Sequence, residues 1–168
     1  RLRSLCHDYS GGCLMADETE ILWSSLTAFT VTGLNSLAAG NMWQSGVVTH
    51  SGDVTDVYVR CWYDIDFNAT PVAGDFLAFY FAEGNNDSTE IWTGDVGESQ
   101  GSITGAGAKA AIEASIQPSK THRWQTSHGA TFKGQVTAQL VHREWQLIVK
   151  PVGEALASSG HTVKYQYG

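Results

Sequence analysis

Residues 56–67 read DVYVRCWYDIDF. The odd positions Val57, Val59, Cys61, Tyr63, Ile65 and Phe67 are apolar or aromatic, and the even positions include Asp56, Arg60, Asp64 and Asp66. An alternation of this length fits the two-residue period of a pleated strand. It cannot form the apolar stripe of a helix, whose period is 3.6. A strand dry on one side and wet on the other needs a partner layer on its dry side. Cys61 falls on that side and reads as a buried thiol.

The segments around it read the same way. Phe76 to Ala82 (FLAFYFA) is apolar on both phases, as in a strand covered on both faces. Gln135–His142, Glu144–Lys150 and His161–Tyr167 are three more strands, and Leu26–Thr32 is a fourth with Phe29 and Val31 on one face. Asn68-Ala69-Thr70-Pro71, Gly74-Asp75 and Glu83 to Ser88 punctuate them as turns. Five glycines between Gly94 and Gly107 mark a long loop. Ala108 to Gln117 is ambiguous. Its alanines favour a helix, but Ile112, Ala114 and Ile116 alternate, and the reading adopted is a strand.

Several short strands separated by turns, with no internal repeat, give an all-β fold class: an antiparallel jelly roll or β-sandwich with an extended N-terminal arm. The arm is expected over residues 1–20 and a single domain over 21–168. Residues 1–14 contain no apolar stretch of the kind that directs export, and Met15 introduces Ala16-Asp17-Glu18, so these residues read as an appended leader.

Composition agrees. Of 168 residues 18 are glycine, charged residues make up 16%, and there are six each of Trp, Tyr and Phe, enough apolar area for a core and too much for a disordered chain. No run approaches the ~18 apolar residues of a membrane helix, so no membrane partner is expected. The net charge of −7 argues against a nucleic-acid partner. Charge is also segregated: Met15 to Glu98 holds thirteen acidic residues and one basic residue, Arg60, whereas Ser99 to Gly168 holds seven basic and three acidic. The two halves either meet across subunits, or the domain lies on a charged scaffold, or one loop-rich end is simply well solvated.

Chemistry-bearing patterns are sparse. Asp64 and Asp66 stand i, i+2 on one strand face and would serve as a carboxylate pair or cation site, although a solvated strand face explains them as well. The six histidines follow no metal-ligating spacing, and no nucleophile elbow, phosphate loop or dinucleotide fingerprint occurs. Cys6 and Cys13 stand alone in a C-x6-C spacing, and no disulfide framework is expected. The reading is therefore no enzyme, no catalytic residue, no metal and no cofactor. Tyr58 and Trp62 lie on the outward phase of the long strand, and Trp92 and Trp124 sit in or beside loops. Such aromatics form a sugar-stacking platform, anchor a protein interface, or are covered by loops or the second sheet. Trp23, Tyr58, Trp62, Trp92, Trp124 and Arg123 are the interface candidates.

The order of features carries a resemblance. The small-residue stretch LNSLAAGNMWQS (34–45) precedes the long strand, GDFLAFYFA (74–82) follows it, and WQLIVKPVGEALASSG (145–160) leads into a short terminal strand. Over about residues 20–168 this resembles the small jelly-roll decoration (cement) proteins on the heads of tailed bacteriophages. In these an apolar strand with a central Tyr and a late apolar strand followed by a small-residue loop recur in this order. The resemblance implies a non-enzymatic virion protein, made in the host cytoplasm, that binds the major capsid protein on the outer capsid surface as a homotrimer and stabilises the shell. The alternative is a head-fibre or tail receptor-binding module that binds carbohydrate.

Overall fold

A computed structural model describes residues 23–50, 57–84, 99–125 and 129–168. The whole of the expected arm (1–20), including the leader with Cys6 and Cys13, and also Trp92, lie outside the described residues.

The described chain is an all-β sandwich of jelly-roll-like form. One sheet holds β1 (Thr27–Ala28), β10 (Thr162–Tyr167), β4 (Val57–Asp66) and β8 (Thr131–Leu140), in that order. The other runs β6 (Gly101–Ile103), β2 (Met42–Gln44), β9 (Glu144–Val152), β5 (Phe76–Gly84) and β7 (Lys120–Arg123), with β3 (Val48–Thr49) also on β9. All the pairings are antiparallel, and the two long ladders, β4 with β8 and β5 with β9, form the frame.

The pleat of β4 decides what faces what. Val59, Cys61, Tyr63 and Ile65 point inward with Phe132, Val136 and Leu140 of β8 and Val163 of β10. They meet Trp43, Leu77, Phe79, Phe81, Trp145, Leu147 and Val149 of the six-stranded sheet. Tyr63 stacks on Phe79 at 4.3 Å between ring centroids, and Trp145 meets Tyr165 of the other sheet at 5.4 Å. Burying each such side chain contributes ~1.5–3 kcal/mol, so this inter-sheet layer dominates the stabilisation.

The second phase of β5 explains its two-sided apolarity. Ala78, Tyr80 and Ala82 join Met42 and Ile148 in a second cluster under Ile112 of a helix and Ile116, the residue at its C-cap. That helix, α1 (Ala106–Ser115), corrects the strand reading of 108–117. Ile112 and Ile116 are i, i+4 and therefore share one helical face, so the same residues satisfy both periods. The alanine content decides between them. Glu113 of α1 pairs with Lys150 of β9 and hydrogen-bonds the Tyr80 hydroxyl, and Lys109 donates to Asn41 Oδ1 at 2.9 Å. The outer side of the six-stranded sheet is thereby sealed by the helix.

Other boundaries also shift. Only Thr27–Ala28 of the expected 26–32 strand pairs with β10. Phe29 and Val31 still pack on the core, but the chain then turns through a 3-10 segment at Thr32–Leu34. Strands β2, β6 and β7 were not expected. Each has three or four residues, too few to display a period, and each forms by pairing with a neighbour.

The loop after β9 is tied down at several points. Leu156 is buried and its N–H donates to Leu37 O, Ala157 N–H donates to Asp66 O, and Asn68 N–H donates to Ala155 O, each at 2.9 Å. His161 Nδ1 accepts from Asp66 N–H, so Nε2 carries the proton donated to Ala157 O at 2.9 Å. The turn needs Gly160, whose φ is +94° and whose missing side chain leaves room for the Asp66 carboxylate.

Among the described residues, strands from the acidic and basic parts of the chain are interleaved. Each sheet sets a strand from the acidic half, β4 or β5, between strands from the basic half. Asp64 pairs with Lys133 directly across the β4–β8 ladder at 2.7 Å.

A glycine on the inner face of β8 gives a direct test of this packing. Gly134 stands opposite Tyr63, and a Cβ there would lie 2.6 Å from the Tyr63 hydroxyl oxygen, on a ring held by Phe79. Gly134→Ala is expected to lower the unfolding free energy by about 1–3 kcal/mol in denaturant titration; an unchanged midpoint would contradict the packing.

Candidate functional site

The outward residues of the four-stranded sheet form the site. On β4 these are Tyr58, Arg60, Trp62, Asp64 and Asp66, flanked by Lys133 and Gln135 of β8 and by Thr162 and Lys164 of β10. The register sets two rows across the sheet. One places Lys164, Trp62 and Gln135 side by side, and the next places Thr162, Asp64 and Lys133.

Trp62 is 41% exposed and Leu26 52% exposed. Arg60 stacks its guanidinium 3.8 Å from the Trp23 ring centroid and lies 5.9 Å from that of Trp62. Cation–π contacts of this kind contribute ~0.5–1 kcal/mol when exposed and more when desolvated. Arg60 Nε is buried without a hydrogen-bond partner among the described residues, and its guanidinium lies against ring faces. Beside Trp62 lies an open pocket of about 270 Å³ lined by Leu26, Trp62, Tyr63, Asp64, Lys133, Thr162 and Lys164. The Asp64 hydrogen bond, and then its charge, hold the exposed Lys133 ammonium above its ordinary pKa.

Of the interface candidates, the structure places Trp23, Tyr58 and Trp62 on this one sheet face. Arg123 and Trp124 stand on the other sheet. Arg123 is exposed at the end of β7, 5.5 Å above the Phe76 ring, and Trp124 packs against the core end and donates from its indole N–H to Gly129 O at 3.2 Å. Leu26, Lys133, Thr162 and Lys164 complete the pocket, and no local sequence pattern marks them. They come from distant parts of the chain, and only strand register brings them to Trp62.

The acids do not work as a pair. Asp64 engages Lys133, while Asp66 accepts from Thr131 Oγ1 at 2.6 Å and backs onto the Gly160 turn. The described histidines are dispersed: His122 Nδ1 is 2.8 Å from the Tyr63 hydroxyl, His50 packs on Tyr167, and His161 ties the loop. Among the described residues there is no group of three or more His, Cys, Asp or Glu side chains that could hold a metal, and no helix long and apolar enough to cross a membrane. Burial pushes the Cys61 thiol up, which removes its nucleophilic form at neutral pH. Comparison with protein-family models gives no match, and comparison with curated proteins gives none.

Burial also pushes the phenols of Tyr63, Tyr80 and Tyr167 up to about 12. Because the folded-state values are raised, the stability these groups contribute is fully present below about pH 10 and is lost as pH rises toward about 12. Ultraviolet titration should resolve a late-ionising set of tyrosines, and the denaturant midpoint should fall across the same window. Ionisation of every tyrosine near pH 10 in the folded protein would contradict the burial.

Proposed function

We propose that this protein is a non-enzymatic structural protein of a tailed-phage virion, a decoration (cement) protein that seats on the outer capsid surface and stabilises the shell. One observation carries the reading. Two of the three segments that resemble such proteins, 74–82 and 145–160, provide β5 and β9, hydrogen-bonded neighbours inside the six-stranded sheet, and the small-residue loop after β9 is clasped to the end of β4. The similarity in chain order thus falls on elements that define one architecture.

The physical properties suit the role. A protein fixed on a lattice benefits from a stiff body, supplied here by an inter-sheet core and a helix-sealed sheet, and from surface anchors that need no enclosed pocket. The major capsid protein and two further copies of this chain are the proposed partners.

Co-sedimentation with cognate capsids that lack the decoration protein tests the reading. The protein is expected to pellet with the shells, saturate at a fixed number per shell and raise the temperature at which they release DNA. A protein that stays in the supernatant at micromolar concentration, with shell stability unchanged, would overturn it.

A further inference from the structure

We propose that the open pocket on the four-stranded sheet is a saccharide site that takes a sugar ring bearing a carboxylate. The proposal goes beyond the capsid role and does not depend on it, because it rests on one face of the isolated subunit.

The lining combines apolar and polar groups: Trp62 and Leu26 are apolar, and Asp64, Thr162, Lys133 and Lys164 are polar. A pyranose has the matching anatomy: a C–H face that lies on an indole, and equatorial hydroxyls that need acceptors and donors at its edge. Asp64 accepts, Lys133 donates, and the Thr162 hydroxyl does either. The 4 to 7 Å row spacing of a sheet puts these groups around one ring width of the Trp62 position.

Charge selects the acidic class. Lys133 is already paired with Asp64, whereas Lys164, beside Trp62 in the ladder, has no carboxylate within ion-pair distance among the described residues. The lining therefore carries two ammonium groups against one carboxylate on a chain whose net charge is −7. A ligand carboxylate placed at Lys164 completes the pairing. The volume, about 270 Å³, lies near the low end of ligand clefts at ~300 Å³. It suits one ring at the end of a chain rather than a long buried oligomer. Arg60, clamped between Trp23 and Trp62, stiffens the aromatic row, so little ordering is required on binding.

The test titrates the full chain with glucuronic- and galacturonic-acid oligosaccharides, and with neutral oligosaccharides of the same length, following tryptophan fluorescence and ligand-observed NMR. Uronides are expected to bind with a Kd of ~0.1–1 mM and at least tenfold more tightly than the neutral set. Added salt should weaken this preference. Trp62→Ala is expected to weaken both classes at least about tenfold, Trp62→Phe to retain part of the binding, and Lys164→Gln to abolish the preference for the acidic set while leaving weak neutral binding. Circular dichroism confirms that each variant is folded. Absence of uronide binding, equal affinity for neutral sugars, indifference to Trp62→Ala, or equally effective competition by a poly-glutamate peptide would each overturn the assignment. The last would mean that the face docks acidic protein segments.

Discussion

The rest of the structure depends on the two-residue period of β4. Its odd side chains must leave water together, and only a second sheet at roughly sandwich spacing can take them all. Tyr63 on Phe79, and Trp145 against Tyr165, show how closely the two layers meet. The same period fixes the opposite side. Once Val59, Cys61, Tyr63 and Ile65 are inside, Tyr58, Arg60, Trp62 and Asp64 have no choice but to face out. Core and candidate site are two consequences of one pleat, since a register slip by one residue would exchange them.

The two sheets differ in how their outer faces are finished. The six-stranded sheet carries apolar residues on both phases of β5, and α1 lays Ile112 and Ile116 over the outer one. The four-stranded sheet keeps an aromatic and charged outer face. That asymmetry gives the molecule a structural side and a presenting side. Trp62 and Leu26 stay exposed at some cost in hydration, which makes them candidates for contact with something other than this subunit.

Legibility in the sequence followed length and locality. Long strands declared themselves: the alternation of 56–67, the two-faced run at 76–82 and the three late strands each match an element of the sandwich. The helix was misread because Ile112, Ala114 and Ile116 fit a strand while Ile112 and Ile116 also fit a helix face, and a short segment offers no third apolar position to decide. Strands β2, β6 and β7 hold too few side chains to show any period. In the site, the outward placement of Trp62 and Tyr58 was readable because it is local to β4. The placement of Lys133, Thr162 and Lys164 was not, because it follows from cross-strand register between segments about seventy to one hundred residues apart. Arg123 and Trp124, neighbours in sequence, fall on opposite phases of a strand end, so they do not act together.

The two-faced character of β4 can be measured directly by hydroxyl-radical footprinting, with adjacent residues compared by mass spectrometry. Trp62 and Tyr63 are both reactive aromatics joined by one peptide bond, with 41% and 4% exposure. If β4 divides core from surface as described, Trp62 is oxidised rapidly in the native protein, while Tyr63 is protected until unfolding. Comparable native rates at the two positions, or protection of Trp62 with attack on Tyr63, would contradict the register and with it the location of both the core and the site.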